Sequence, residues 1–367
     1  MSIYLDNAAT KPLSEETKRY LMDILNNYGN PSSTHSIGDN AKQVINKARQ
    51  TVSVFINANE KEIIFTSGGS ASNTLAITGL KKANPKYKII YSPIAHKSIV
   101  KQMGQNDIPL KVGNDGVLCM EYLQSITNDN PNSLVVVDYA NSEIGTIQNV
   151  NYISKIVHSN NCKLYLDCTG SIPTIPLDVK EINVDMAGFS AHKLGGLKGC
   201  GVLYKKDNIK LSPIIFGSQE QGLFGGTENV IGIASLYKAI ELYRYNDLSY
   251  LAKKYVWENV KNMVSDCYVV GGFNNKLINN LCICIKGVLG QHLIVLLDQM
   301  GIQVSTGSAC NSGSLEPSYV LKEIGINECD YNSCIRITFS GNETQSELDY
   351  VCQSLKDCVE LLRRKDF

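Results

Sequence analysis

Two residues of complementary chemistry stand out, one at the end of an apolar run and one in a glycine-bearing turn further along. Asp167 closes Lys163-Leu164-Tyr165-Leu166, where a carboxylate would leave a strand, and Lys193 lies in Phe189-Ser190-Ala191-His192-Lys193-Leu194-Gly195-Gly196. An amine condenses with an aldehyde, and a carboxylate keeps a pyridine nitrogen protonated so that the ring draws electrons; a pyridoxal-type cofactor needs both. The two residues alone leave a plainer reading open, a solvated lysine in a glycine-rich turn and a capping aspartate. A third element, Phe65-Thr66-Ser67-Gly68-Gly69-Ser70, leads from a strand-like run into small residues ahead of a helical stretch near Ala71. Bare N–H groups and hydroxyls at a helix start make a cradle for a phosphate, although an ordinary capped helix uses the same residues.

The elements that must position these groups follow from periodicity. Strand-like runs at 63–65, 88–91, 134–137 and 164–166 alternate with helical stretches at 71–82, 97–103 and 150–159. This rhythm predicts an α/β fold with a mostly parallel sheet wrapped by helices and active groups at the carboxyl ends of strands. From 235 to 262 the pattern reads as one long amphipathic helical stretch, the candidate lobe boundary. Cys282 and Cys284 fall on one face of a strand-like run and read as packing, so no metal site is expected.

The chain has 367 residues, 43% of them hydrophobic, enough for a substantial core in two lobes. With 35 basic and 35 acidic residues there is no electrostatic case for direct nucleic-acid binding. The opening Met1-Ser2-Ile3-Tyr4-Leu5-Asp6 lacks a basic stretch followed by an apolar run, and no later segment has the length of a membrane span. The expectation is a cytoplasmic protein with no membrane partner. Its 12 cysteines are scattered through strand-like and helix-like segments, so most are expected as free, buried thiols.

Three further motifs carry a resemblance: Tyr4-Leu5-Asp6-Asn7-Ala8-Ala9-Thr10, Tyr28-Gly29-Asn30-Pro31-Ser32-Ser33 and Ser305-Thr306-Gly307-Ser308-Ala309-Cys310-Asn311-Ser312-Gly313. Together, and in order from Tyr4 to Arg336, they resemble the cysteine desulfurases of the NifS/IscS type, pyridoxal 5'-phosphate (PLP) enzymes of the class V aminotransferase family. The resemblance implies the PLP-dependent transferase fold of type I. It implies a large PLP-binding domain at 15–245 with a mostly parallel seven-stranded sheet, and a smaller α+β domain formed by 1–14 and 246–367 that carries a mobile catalytic cysteine loop. By the same likeness Lys193 is the Schiff-base lysine, Asp167 faces the pyridinium nitrogen, and His96 stacks over the ring and moves protons. Gly69, Ser70, Ser190 and His192 are implied phosphate contacts, and Thr227 one supplied by the neighbouring subunit, hence a homodimer. Arg336 grips the substrate carboxylate and Asn30 is a second contact to it.

Cys310 also has a physical case. Its neighbours are nearly all small and polar, the composition of a mobile exposed loop, whereas Cys162, Cys200, Cys334 and Cys352 sit in mixed or apolar contexts. The implied reaction takes L-cysteine to L-alanine and leaves a Cys310 persulfide for a sulfur-acceptor protein or scaffold, in iron-sulfur cluster assembly, tRNA thiolation or a specialised thiolation pathway. The chain departs from the family at Ser142 and Gly170, where an asparagine and a glutamine near the cofactor's phenolic oxygen are usual, and at Phe224, where an arginine is usual. Two other readings therefore stand beside the first: a divergent PLP-dependent lyase or selenocysteine lyase, and a non-catalytic scaffold descended from the family.

Overall fold

A computed structural model of the protein describes residues 2–245, 247–307 and 317–364. Cys310 lies outside the described residues. At the centre is a seven-stranded sheet in the order Ile63–Thr66, Gly201–Lys205, Met186–Ser190, Lys163–Asp167, Leu134–Asp138, Ile89–Tyr91, Ile108–Pro109. Gly201–Lys205 runs against both of its neighbours, and the other pairings are parallel. The expected α/β class and mostly parallel seven-stranded sheet are the ones found.

The central strands are buried on both faces, which is why Leu134–Asp138 reads as an unbroken run of Leu and Val up to its final Asp. Alternation still sorts them. Val135 and Val137 pack with Val52, Ile153 and Val157 on one side, while Leu134 and Val136 pack with Leu75, Ile77 and Leu80 on the other. All the parallel strands deliver their carboxyl ends to one edge. Thr66, Asp138, Asp167 and Ser190 are thereby brought to the same side of the sheet as the loops that follow them.

A second core surrounds the antiparallel sheet Cys334–Thr338, Asn280–Ile285, Cys267–Val269. The helices Leu248–Met263, Gly290–Gln299 and Gln345–Arg364 supply its Val256, Leu293, Leu297, Val351 and Leu355. The chain start joins it. Ile3–Tyr4 pairs in parallel with Ile302–Gln303, and Ile3 and Leu5 are buried in this core.

The stretch at 235–262 is two helices, not one: Val230–Leu242 and Leu248–Met263. Tyr243 turns to extended backbone (φ −67°, ψ 134°), and its ring meets Phe55 and Tyr245 edge-on. Aromatic packing outweighs the helical period there. Likewise the helix expected at 97–103 is the single turn Lys97–Val100. Cys282 and Cys284 pack in a small cluster with Ile144, Val320 and Leu321. The described cysteines are free and mostly buried, with Cys329 exposed. Among the described residues no helix is long and apolar enough to cross a membrane.

Candidate active site

The phosphate cradle is built where Ile63–Thr66 runs into the helix Gly69–Ala83. Gly68 takes φ 150°, a conformation side chains rarely adopt, and a Cβ on Gly201 would lie 2.6 Å from its backbone. The backbones pass too closely there for anything but glycine. Gly69 N–H donates to Ser190 Oγ at 2.7 Å, and Thr66 and Ser72 hydroxyls meet at 2.8 Å, which ties the turn to the helix. The helix begins without a side-chain cap. With Gly69 N–H given to Ser190, the N–H groups that follow it in the first turn are available to an anion, and Thr169 Oγ1, buried and without a hydrogen-bond partner among the described residues, stands where a Cβ on Gly69 would be 2.8 Å away.

Asp167 is buried at the next strand end. Its Oδ2 accepts from Asn73 Nδ2 at 2.8 Å and its Oδ1 from Thr169 N–H at 2.9 Å, so both oxygens are held as acceptors. Asn73 also accepts from the buried Tyr165 hydroxyl and donates to Ser98 Oγ at 2.9 Å. Ser98 Oγ in turn lies 2.7 Å from His96 Nδ1. A polar chain therefore links Asp167 to His96. Because His96 Nδ1 also accepts from Ser98 N–H at 3.2 Å, the neutral ring carries its proton on Nε2.

Lys193 ends the short turn Ala191–Lys193 beyond Met186–Ser190, and its Nζ donates to the carbonyls of Ala8 and Ala9, the latter at 3.0 Å. The motif at the chain start thus meets the lysine. Burial, with the charges of Lys193 and Lys198 behind it, pushes His192 down to about 4, so it is neutral at pH 7. Its Nδ1 is 3.2 Å from Thr10 Oγ1.

At the opposite wall Arg336 is buried, 4% exposed. One arm pairs with Asp6 at 2.7 Å, another donates to Ser142 O at 3.1 Å, and Nε is buried without a hydrogen-bond partner among the described residues. A buried guanidinium N–H with nothing to bond is a place for a carboxylate oxygen. Beside it Glu143 Oε1 is buried and equally unpartnered, and burial raises its carboxyl pKa.

Gly69, Ser70, Asp167, Ser190, His192 and Lys193 all line one cavity of about 510 Å³, and so do His96, Ser142, Gly170 and Arg336. Asn30 and Thr227 are exposed and do not line it; the Asn30 side chain accepts from Ser32 N–H at 2.9 Å in a local turn. Gly307 and Ser318, on either side of the residues that include Cys310, are both on its wall. Asn73, Thr169, Asp138 and Glu143 line or support the cavity without having been assigned a role from sequence. Asp138 had a visible signal, since it ends Leu134–Asp138 as Asp167 ends its own strand. Gly170 has a structural reason as well: a Cβ there would be 2.6 Å from Ala140 O. Ammonium, ring-facing carboxylate, anion cradle and guanidinium around one cavity fit a phosphorylated pyridine aldehyde and an amino acid.

The aminotransferase class-V family model matches residues 3–351. A cysteine desulfurase IscS of Dictyoglomus turgidum is 36% identical over 98% of this chain and 95% of its own, and one of Methanosarcina thermophila is 34% identical over 99% and 93%. A solved NifS-like protein superposes with a TM-score of 0.90 at 28% identity over the whole of both chains, which is the fold of PLP enzymes of type I. The chain belongs to the class-V aminotransferases and, within them, to the PLP-dependent cysteine desulfurases.

Proposed function

We propose that desulfuration proceeds by transfer of the sulfur of L-cysteine to Cys310, leaving L-alanine, and that the Cys310 persulfide is consumed by a sulfur-acceptor protein or scaffold. The observation that carries this reading is the single cavity shared by Lys193, Asp167, the uncapped start of Gly69–Ala83 and Arg336, with Gly307 and Ser318 on its wall. From Gly307, Cys310 is within a span of about 10 Å of extended chain.

Bound PLP supplies the electron sink that labilises the substrate's α proton. The protein's own groups do the rest. The uncapped N–H groups of the helix, with Ser190 and Thr169, would hold the phosphate; Asp167, kept as an acceptor by Asn73 and Thr169, would hold the ring nitrogen. Arg336 takes the substrate carboxylate through the Nε side of its fork. Lys193 Nζ would hold the cofactor aldehyde and would take up the substrate's α proton, and His96 Nε2 would carry a proton within the cavity. The Cys310 thiolate then attacks the substrate sulfur: the S–S bond forms, the carbon–sulfur bond breaks, and the substrate β carbon ends as the methyl group of alanine by gaining a proton.

We assign Thr227 to the cradle of a second copy. In support, Thr227 is exposed, and Ile215 and Phe216 nearby are 46% and 83% exposed, with Ile215 bridged to Phe224. Residues 15–245 are assigned to the PLP-binding domain and 1–14 with 246–367 to the small domain, in keeping with the second core that collects Ile3 and Leu5. The cytoplasm is the proposed location.

The test is to incubate PLP-loaded protein with L-cysteine and a reductant, to assay alanine and sulfide together, and to run Cys310→Ala beside it. Equal yields of the two products, lost in the variant, are expected. Sulfide release that survives in Cys310→Ala would assign the chain to the lyases. Bound cofactor with neither product would mean that Ser142, Gly170 and Phe224 have silenced the site.

A further inference from the structure

The cavity holds a second carboxylate that the reaction leaves without a task. Asp138 and Asp167 are register partners in adjacent parallel strands, so they share a face at one strand spacing of about 4.8 Å. Both line the cavity, at 5% and 4% exposure. Their surroundings differ. Asp167 accepts two N–H donors, whereas neither carboxyl oxygen of Asp138 accepts a hydrogen bond of good geometry, and the neighbouring Ser92 Oγ is also buried and unpartnered.

Two carboxylates this close in a buried site resist ionising together, so one of them keeps its proton to a higher pH than an ordinary carboxyl. Asp167 has two N–H donors and Asp138 has none among the described residues, so Asp138 is the member of the pair less well placed to carry charge. Burial, with the charge of Asp167 added, pushes Asp138 up to about 6, and Ser92 and Asn141 beside it pull it back only in part. We propose that Asp138 is a positioning residue for the cofactor ring, forming with Asp167 a carboxylate pair that holds one proton when empty and releases it to solvent when a protonated pyridine nitrogen occupies the site. This rests on the ring nitrogen lying at Asp167, as proposed above.

The sign follows from linkage. A cationic N–H beside the pair favours the Asp138 anion, so its pKa falls on binding and affinity rises with pH through the window around pH 5 to 6.5. Opposite charges within a few ångströms lower a carboxyl pKa by about one to three units, and one unit is about tenfold in affinity. Other groups face the same space: Asp167 from the adjacent strand, and Glu143, His96, His192, Lys193 and Arg336 around the cavity. A phosphate on the ligand also titrates near pH 6. Asp138→Asn keeps all of these, so the difference between wild type and variant isolates Asp138.

The probe is pyridoxine 5'-phosphate, which has the ring nitrogen and the phosphate but no aldehyde to react with Lys193. Calorimetric titration of the apoprotein from pH 5 to pH 7.5, in two buffers of different ionisation heat, reads affinity and proton release together. Wild type should gain about tenfold more affinity over this range than Asp138→Asn. It should also release more protons near pH 6, and Asp138→Ser should repeat the flattened profile should the asparagine variant not fold. Superposable profiles and equal proton release overturn the proposal while leaving the cofactor site standing. Wild type that binds neither this probe nor PLP overturns the cofactor-site reading and the proposal together.

Discussion

Removing the Asn73 side chain is expected to damage the fold and the cofactor site at once. Asn73 is 1% exposed and makes three contacts: it accepts from the Tyr165 hydroxyl and donates to Asp167 and Ser98. In Asn73→Ala the Tyr165 hydroxyl, on a residue with 0% exposure, loses the acceptor it has here, at a cost of about 1–3 kcal/mol. Asp167 loses one of its two N–H donors, a charge-assisted bond worth about 1.5–3 kcal/mol in general, less where water enters from the cavity side. The two losses share a site and do not simply add; together about 2–4 kcal/mol is expected. For a chain of 367 residues unfolding as one unit, an entropy of about 2.1 cal/mol/K per residue makes this roughly 3–5 °C in Tm. Scanning calorimetry of the apoprotein measures it, and a PLP titration measures the second effect, a loss of about tenfold in affinity corresponding to ~1.4 kcal/mol at the ring nitrogen. Asn73→Ala melting within a degree of wild type and binding PLP with unchanged affinity would refute the view that Asn73 holds Asp167.

Restoring a side chain at Gly170 should harm the protein instead of repairing it. The new Cβ meets Ala140 O at 2.6 Å, a backbone atom, so Gly170→Ala and Gly170→Gln should each cost about 1–3 kcal/mol, seen as a lower Tm of the apoprotein. Arg336→Lys keeps the charge but cannot reproduce contacts to Asp6, Ser142 and a substrate carboxylate from one planar fork. The expected loss is about 10- to 100-fold in kcat/KM for L-cysteine, mainly through KM, measured by alanine formation.

Fold and site were legible in the sequence to different degrees for a physical reason. Strand ends are local: an apolar run that stops at a carboxylate or a small residue says where the chain leaves the sheet, and Asp167 and the turn through Gly69 are legible that way, whereas Ser190 came only from the family resemblance. Long helices were harder. The break at Tyr243 depends on Phe55 and Tyr245 closing around its ring, a contact the helical period does not encode. Asn73 is a similar case, because its task depends on Tyr165 and Asp167 from a strand far along the chain. Arg336 sits between these limits. Its neighbours Ile335 and Ile337 suit a buried strand, but the pairing with Asp6 needs the start of the chain to reach the second sheet.

The departures at Ser142 and Gly170 become more intelligible once the strand end beside them is considered. Ser142 gives its backbone carbonyl to Arg336, and the Gly170 backbone packs against Ala140, so both are fitted to the space they occupy. Just before Ser142 in the chain, Leu134–Asp138 ends in a carboxyl that has no well-aligned partner among the described residues. A family member that has given up two amide side chains near the cofactor has less hydrogen bonding with which to set the electron demand of the ring. A second carboxyl next to Asp167 offers another means, acting through charge on the ring nitrogen. On that argument Asp138→Asn should cost more in cofactor affinity at pH 7.5, where the wild-type side chain is ionised, than at pH 5, where it is not.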